Sequence, residues 1–243
     1  MKMKKLFALI LCVASLLAVA VFPARAEEAH DIFADVKPGK WYTEAVDWAY
    51  KNGFITEISD NVFDPNAPIT REAFLVGLTK LNLRMTGTEL PHYETMSFSD
   101  VEPDKWYSDY IEYAYQNDIV KGIGNGKFGF GLPIKRQDAA VMLKPRILMP
   151  AEERTTVDYW GYEKIVDLDK ASEYARLPVM LACSVIKITY HSDVDSHDQV
   201  NDPLFVGNKD HEFMPHKYLT RAEFCVVIYK QYRNNEYNGW YIG

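Results

Sequence analysis

The sequence is poor in cysteine and lacks the short motifs that identify many enzyme active sites. Three cysteines occur in 243 residues, and none forms a CxxC pair or a Cys/His metal-ligand spacing. No G-x-S-x-G, H-E-x-x-H or Walker sequence is present. Acidic residues are abundant, but none stands in a recognisable hydrolase motif. We therefore expect no enzymatic activity and no cofactor, and a secreted hydrolase is the weaker alternative.

Long hydrophobic runs are also scarce. The chain has one such run, at its N-terminus. The basic "MKMKK", the apolar "LFALILCVASLLAVAVF" and the small residues of "ARA" ending at Ala26 follow the order of a cleaved secretory signal. We predict a signal peptide at 1–26. An uncleaved membrane anchor is the alternative, because the run approaches the ~18 residues that can cross a bilayer. No other such run follows, so we expect a secreted protein with no membrane span after cleavage.

Basic residues are also in deficit. The chain has 27 Lys and Arg against 34 Asp and Glu, and loss of Lys2, Lys4, Lys5 and Arg25 with the signal leaves 23 against 34, a net charge of −11. Such a surface has no general attraction for nucleic acid or anionic lipid. Any anionic partner must be held by locally placed cations.

Two cysteines, Cys183 and Cys225, lie outside the predicted signal, and both have apolar neighbours. A disulfide between them is possible in a secreted chain, whereas two buried free thiols fit the same surroundings. The sequence leaves both alternatives open.

What the sequence does contain is an internal repeat. The stretch "FADVKPGKWYTEAVDWAY" from Phe33 is followed 65 residues later by "FSDVEPDKWYSDYIEYAY" from Phe98. The same offset relates Arg71 to Arg136 without a gap. A fixed period of this kind indicates a repeated structural unit.

A third copy is degraded but legible in "IVDLDKASEYARLPVMLACSVI" and "FMPHKYLTRAEF". Asp35 to Arg71 spans 36 positions and Asp167 to Arg221 spans 54, so the third copy holds 18 additional residues. The predicted boundaries are 31–82, 96–148 and 163–232 for the three repeats, about 189–211 for the insertion and 233–243 for a tail.

Each copy has the pattern of two helices joined by a polar loop. Amphipathic spacing predicts first helices at about 41–51 and 106–117. Thr70 is a good N-cap for a second helix, and Thr220 with Glu223 forms a capping box. A single two-helix unit buries too little surface to be stable alone. We therefore predict a mainly α fold in which three units pack through their apolar faces.

These repeated motifs resemble the S-layer homology family. The resemblance rests on F-A-D-V, W-Y, F-D-P and I-T-R-E in the first copy, on F-S-D-V, W-Y, "GIGNGKF" and I-K-R-Q in the second, and on F-M-P and L-T-R-A-E in the third, over about residues 31–232. It implies three tandem two-helix repeats packed as a pseudo-threefold, three-pronged helical domain. It also implies non-covalent binding of secondary cell-wall polymers, often pyruvylated, in grooves between repeats at the bacterial cell wall or S-layer.

The arginine of the T-R-A-E motif is a recurrent ligand residue in that family, and the resemblance transfers this role to Arg71, Arg136 and Arg221. A cation at the first helical position is mildly unfavourable by itself. Together with free N–H groups of the first turn, it suits a carboxylate or phosphate. An internal ion pair, for example of Arg71 with Asp35 or Asp64, explains the same arginine equally well.

The loop of the second copy is the leading candidate groove, because Gly122, Gly124 and Gly126 would let a sugar approach the backbone closely. Simple turn geometry is the alternative for these glycines. Trp41 and Trp106 offer rings for stacking on a sugar, although tryptophans at helical spacing are more often core residues.

Three departures from the family pattern argue against three equivalent sites. The first copy lacks the Gly-rich loop, Pro145 should end or kink the second helix of the second copy, and the third copy lacks the W-Y pair. A cell-envelope scaffold that has lost glycan binding and contacts other surface-layer proteins is therefore the alternative function.

The insertion of the third copy is rich in histidine and aspartate. Such residues can bind Ca²⁺ or Zn²⁺, but the glycine and terminal glutamate of an EF-hand loop are missing. A solvated loop is the preferred interpretation of this cluster: His191, Asp193, Asp195, His197, Asp198, Asp202, Asp210 and His211.

Overall fold

A computed structural model describes residues 28–55, 61–147, 155–191 and 196–237 of the chain. The predicted signal peptide and the end of the tail lie outside these ranges. The described part contains seven α-helices: α1 (Ala29–Ile32), α2 (Thr43–Lys51), α3 (Arg71–Thr86), α4 (Ser108–Gln116), α5 (Arg136–Ile147), α6 (Glu173–Ala182) and α7 (Arg221–Tyr237). The fold is mainly helical, as predicted, and no described helix is long and apolar enough to cross a bilayer.

The helices form three units of similar design. The first unit (28–87) contains α1, α2 and α3, the second unit (96–147) contains α4 and α5, and the third unit (162–237) contains α6 and α7. One continuous hydrophobic core runs through all three. Its largest fully buried aromatic side chains are Phe33, Phe63, Phe74, Phe128, Phe213 and Phe224.

The first helices begin two residues later than the sequence predicted. The hydroxyl of Thr43 accepts from the N–H of Lys40 and donates to the carbonyl of Lys37, which fixes the turn before α2. Ser108 makes the equivalent pair of bonds before α4. Trp41 and Trp106 therefore precede their helices, and they are 67% and 63% exposed. The expectation that these tryptophans belong to the core was wrong.

The second helices carry the predicted caps. The side chain of Thr70 accepts from the N–H of Ala73 at the start of α3. Thr220 and Glu223 form a reciprocal capping box at the start of α7, with N···O distances of 2.9 and 3.2 Å. Pro145 does not end α5 at its own position, because the helix continues to Ile147.

A closed ring of three backbone hydrogen bonds joins the units. The N–H of Ile69 donates to the carbonyl of Leu219, that of Leu219 to Ile134, and that of Ile134 back to Ile69, at 2.9, 2.9 and 3.1 Å. These residues immediately precede the cap positions of α3, α5 and α7, and all three are buried. The ring therefore holds the starts of the three second helices together about a pseudo-threefold axis.

An aspartate closes each unit onto its own loop. Asp35, Asp100 and Asp167 each accept N–H bonds from a loop phenylalanine and from the residue after it, at 2.6 to 3.0 Å. The residue after the phenylalanine is left-handed in all three units: Asp64 (φ 51°), Gly129 (φ 92°) and Met214 (φ 58°). The same loop geometry thus recurs in the third unit, where the sequence repeat is weakest.

A small sheet that the sequence analysis missed joins residues 155–160 to the third unit. Three antiparallel strands pair in the order β1 (Thr155–Trp160), β2 (Val185–His191) and β3 (Ser196–Asn201). The N–H of Phe205 then donates to the carbonyl of Ala182, as Ile119 donates to Ala114 in the second unit. Between these two equivalent bonds the third unit has 18 more residues than the second unit, and the insertion bounds of about 189–211 stay a prediction.

Both described cysteines are free and buried. The second of the two alternatives left open by the sequence is therefore the correct one. Burial raises the pKa of the Cys183 thiol to about 12, so this side chain behaves as a small apolar residue rather than as a nucleophile.

Replacing Asp100 by asparagine tests the aspartate closure. Burial alone would raise the pKa of Asp100, but N–H bonds from Phe128, Gly129 and Phe130 lower it below its ordinary value. We expect Asp100→Asn to lower the free energy of unfolding by about 1–3 kcal/mol at pH 7, because an N–H group loses its charged acceptor. Urea titrations measure this loss.

The same variant should show a distinct pH dependence. A depressed carboxyl pKa stabilises the fold above the unfolded pKa of about 4, and this stabilisation disappears as the pH falls through the folded value. The difference between wild type and Asp100→Asn should therefore shrink in acid. Asp104→Asn, at a side chain that is 80% exposed, is the control. A constant difference from pH 7 to pH 3 would contradict this account of Asp100.

Candidate functional site

The three motif arginines occupy the same structural position, at the first residue of α3, α5 and α7. Their backbone N–H groups all donate across a unit boundary, with distances of 2.8 to 2.9 Å: Arg71 to Leu132, Arg136 to Lys217 and Arg221 to Ala67. The first N–H of each helix is therefore already bonded within the protein. The sequence analysis predicted that free N–H groups of the first turn help to bind an anion, but these three N–H groups are not free.

The guanidinium groups repeat this cross-unit pattern. In each case Nε donates to the carbonyl of a loop phenylalanine in the next unit, and the guanidinium carbon lies 4.6 to 5.0 Å from the ring of that phenylalanine. The three pairs are Arg71 with Phe128 at 2.9 Å, Arg136 with Phe213 at 2.8 Å and Arg221 with Phe63 at 2.7 Å. Each arginine is thus a clamp between two units.

Beyond this shared clamp, Arg71 faces an open groove. Its Nη2 donates to the carbonyl of Lys121 at 2.7 Å. Within the described ranges no carboxylate forms an ion pair with Arg71, so the predicted pairing with Asp35 or Asp64 is not what holds it. Burial lowers the pKa of Arg71, and the nearby carboxylate of Asp138 partly offsets this, so the side chain remains a cation.

The groove beside Arg71 is a cavity of about 850 Å³ formed by all three units. The second unit contributes its loop and α5, and the third unit contributes the start of α6. Polar lining comes from Arg71, Asp118, Lys121, Asp138 and Tyr174, and apolar lining from Ile119, Val120, Ile123, Val141 and Met142. A cation set in a largely apolar wall is suited to a ligand that carries one anionic group on an otherwise uncharged body.

Tyr174 is one of several lining residues that the sequence analysis missed. Its hydroxyl donates to Asp138 at 2.7 Å, and the side chain is 61% exposed. The spacing could have identified it, because Tyr42, Tyr107 and Tyr174 each lie seven residues after the aspartate that closes their unit. The search for an intact W-Y pair concealed this, since Glu173 replaces the tryptophan in the third unit.

Arg136 has a different environment from Arg71. Its Nη1 forms an ion pair with Glu223 at 2.7 Å, and its guanidinium carbon lies 5.0 Å from the Phe205 ring and 4.9 Å from the Phe213 ring. The residue is only 4% exposed. Direct ligand contact, which the family resemblance transferred to this residue, would require these groups to separate.

The surroundings of Arg221 are described only in part. Its guanidinium is clamped to Phe63, and burial lowers its pKa while Asp64 and Asp35 act in the opposite direction. The loop that follows Ile55 lies outside the described residues from 56 to 60. The role of Arg221 in ligand binding stays a prediction.

The three loop glycines serve different geometries. Gly124 (φ 104°) and Gly126 (φ 66°) are left-handed, which fits the turn alternative. A Cβ on Gly122 would lie 2.5 Å from the Lys127 carbonyl oxygen and 2.8 Å from the Phe98 ring. Gly122 therefore lets the groove wall pack closely onto the loop. Whether any of the three touches a ligand stays a prediction.

The exposed tryptophans lie outside the Arg71 groove. Trp41 and Trp106 pack edge-on against Tyr42 and Tyr107, with ring centroids 5.3 and 5.5 Å apart. Their outer faces are available for contact, so sugar stacking at these residues stays a prediction.

One described cluster has the residue types of a metal site. Potential ligand atoms of Glu28, His30 and Asp47 all lie within 4.8 Å of one another. The cluster is internally paired, because His30 Nδ1 lies 2.9 Å from Asp47 and Lys51 forms an ion pair with Glu28. Most side chains of the histidine- and aspartate-rich insertion, including His191, lie outside what the structure describes.

Comparison with known proteins finds a family match in two parts of the chain. Residues 32–75 and 97–140 match the S-layer homology domain. These matches lie in the first two units, at two of the three places where the motif pattern predicted such a repeat.

Several curated proteins share this region. The chain is 33% identical over 120 residues to the Surface-layer 125 kDa protein of Lysinibacillus sphaericus, covering 47% of the chain and 10% of the relative. It is 28% identical over 204 residues to an Endoglucanase of Bacillus sp. (strain KSM-635), covering 81% and 18%. It is 29% identical over 96 residues to a Cell surface protein of Thermoanaerobacter kivui, covering 40% and 13%. The chain thus spans less than a fifth of the length of these relatives.

Truncation of two of the three clamp arginines, Arg136 and Arg71, should affect stability unequally. Arg136→Ala leaves Glu223 without its buried partner, and we expect a loss of roughly 3 kcal/mol in the free energy of unfolding. Arg71→Ala removes two hydrogen bonds to carbonyls but no ion pair, and we expect about 1–2 kcal/mol. Urea unfolding of both variants measures the difference. Arg84→Ala, at the far end of α3, is the control, and an equal or larger loss at Arg71 would contradict this assignment.

Proposed function

We propose that the protein anchors non-covalently to the bacterial cell surface by binding an anionic secondary cell-wall glycan in the groove beside Arg71. The observation that carries the proposal is the guanidinium of Arg71, which lines an open groove without a carboxylate partner among the described residues. The S-layer homology match and the surface proteins among the relatives support a role at the cell surface.

The chemistry of the groove favours a ligand with a carboxylate on a sugar body. A pyruvate ketal presents one carboxylate, and Arg71 offers a charge-assisted donor for it. Tyr174 and Ile123 are exposed on the groove wall and offer apolar surface for the pyranose ring. Lys121 adds a second cation at the rim, while Asp118 and Asp138 oppose a ligand with dense negative charge.

We also propose that residues 163–232 form a third S-layer homology repeat. Asp167, Leu219 and Arg221 make the same backbone and clamp contacts as their counterparts in the first two units. The groove needs this unit, because Tyr174 forms part of its wall. The proposed role is non-catalytic, and the expected location is the cell wall or S-layer after removal of the predicted signal.

A scaffold role is the second candidate function. The exposed Trp41 and Trp106 favour it, since large exposed aromatic side chains are typical contact residues in protein interfaces. Other surface-layer proteins would be the partners in that case.

Co-sedimentation with purified cell walls tests the proposed anchor. The purified protein is mixed with walls before and after acid removal of the secondary polymer. We expect binding to intact walls and loss of binding to stripped walls. A folded protein that fails to bind intact walls would contradict the anchor and leave the scaffold role.

Two substitutions assign the site within the same assay. Arg71→Ala removes a charge-assisted contact of about 1.5–3 kcal/mol, so binding should weaken roughly 10- to 100-fold. Tyr174→Ala removes an exposed wall residue and should weaken binding with little change in stability. Arg84→Ala removes an equal charge from the far end of α3 and should bind as wild type. Wild-type binding by both groove variants would move the site elsewhere.

A substitution in the loop tests whether its packing shapes the groove. In Gly122→Ala, the new Cβ collides with the Lys127 carbonyl, so the loop must shift. We expect a loss of about 1–3 kcal/mol of stability together with weaker wall binding. Gly126→Asn, a residue type that tolerates the left-handed conformation, is the control. Unchanged wall binding by a folded Gly122→Ala variant would show that this part of the loop does not shape the site.

A further inference from the structure

We propose that the groove beside Arg136 is a second carboxylate site that the protein keeps closed with two of its own side chains, Glu223 and Phe205. This inference rests on the proposed function of the Arg71 groove and extends it to the number of sites that the protein presents. It follows from comparing the two quasi-equivalent arginines residue by residue.

The first difference lies two residues after each arginine. Asp138 follows Arg136 by two positions and lines the Arg71 groove, where its carboxylate accepts from Tyr174. Glu223 follows Arg221 by the same spacing and lies at the Arg136 groove. Glutamate is one methylene longer than aspartate, and its carboxylate reaches Nη1 of Arg136 at 2.7 Å.

The nitrogen that Glu223 occupies is the one that Arg71 leaves available. Arg71 uses Nε and Nη2 for carbonyl oxygens of the second unit, and its Nη1 has no hydrogen-bond acceptor among the described residues. Arg136 uses Nε for the Phe213 carbonyl and Nη1 for Glu223. Glu223 therefore stands where the carboxylate of a ligand would stand in the open groove.

The second difference lies at the start of each loop. The backbone bonds of Ile119 and Phe205 to the preceding helix are equivalent, at 2.9 Å in both cases. Ile119 lines the open cavity, whereas the Phe205 ring covers the guanidinium of Arg136. Phe205 is 3% exposed. Ile119 is 4% exposed, so the two positions differ in the aromatic ring that packs on the Arg136 guanidinium and not in burial.

This closure competes directly with an external ligand. The carboxylate of Glu223 is held in place by its capping bond to the N–H of Thr220, so its local concentration at Arg136 is high. A free carboxylate must displace an intramolecular one and also move the Phe205 ring. The Arg136 groove therefore binds no external carboxylate, whereas the Arg71 groove does.

Exchange of the two residue pairs tests the inference in both directions. Phe205→Ile with Glu223→Asp gives the closed groove the residues of the open one. Ile119→Phe with Asp138→Glu gives the open groove the residues of the closed one. Glu102→Asp, at an exposed carboxylate, is the control substitution. Circular dichroism and urea unfolding establish that each variant is folded.

Two readouts are recorded on every variant. The first is the rate at which phenylglyoxal modifies Arg71 and Arg136, located by peptide mass spectrometry. The second is the stoichiometry of calorimetric titration with a methyl glucoside that carries a pyruvate ketal. In wild type, Arg136 should react roughly tenfold more slowly than Arg71, because modification requires local opening. The exchange Phe205→Ile with Glu223→Asp should raise the rate of Arg136 modification and increase the binding stoichiometry by one site. The exchange Ile119→Phe with Asp138→Glu should slow the modification of Arg71.

The outcomes separate this inference from the proposed function. Equal modification of Arg71 and Arg136 in wild type overturns the closure. An opening exchange that exposes Arg136 without adding a binding site overturns the claim of a second site. If wild type does not bind the glycoside but the arginine rates follow expectation, the proposed function fails while the closure by Glu223 and Phe205 is supported.

Discussion

The ring of backbone hydrogen bonds among Ile69, Ile134 and Leu219 is the constraint on which the rest of the structure depends. Each unit donates one N–H and accepts one on its carbonyl, so no unit satisfies its own segment. Because these groups are buried, an unmade bond leaves a polar group without a partner at a cost of about 1–3 kcal/mol. Two units without the third would leave one donor and one acceptor exposed or unpaired. The ring thus explains why the two-helix pattern occurs as a set of three.

The clamp arginines extend this constraint from backbone to side chain. Each guanidinium crosses to the next unit and bonds the loop phenylalanine that the aspartate of that unit has already positioned. The aspartate thus fixes the loop of its unit, and a carbonyl of that loop binds the arginine. The arginine in turn links the loop to the second helix of the neighbouring unit. The clamp uses Nε, and the outer nitrogens are left to differ between units. The arginine can therefore hold two units together in every copy, while its outer nitrogen stays accessible at Arg71.

The local features of the fold could be predicted from the sequence, and the non-local ones could not. The 65-residue offset related Arg71 to Arg136 and the first two opening aspartate motifs to each other. Local residue patterns identified Arg221 and the caps at Thr70 and Thr220, because each depends on neighbours close in the chain. Helical spacing misplaced Trp41, since periodicity does not show that a serine or threonine hydroxyl starts the helix two residues later. The sheet pairs 155–160 with 185–191, and no local pattern specifies such a contact. Tyr174 was missed because the pair that marks its position had lost its tryptophan.

The contrast between Arg71 and Arg136 shows why a repeated arginine motif does not by itself define equivalent environments. Arg71 and Arg136 are identical in type, helix position and clamp partner, so a motif assigns them one role. Their accessibility is decided by residues outside the arginine's own repeat, at positions 119 and 138 for one groove and 205 and 223 for the other. Those residues come from the neighbouring unit and differ by one methylene and one ring. Neither the ring of backbone bonds nor the clamp uses the side chains at these four positions. The same architecture can therefore hold an open groove and a closed groove in one molecule.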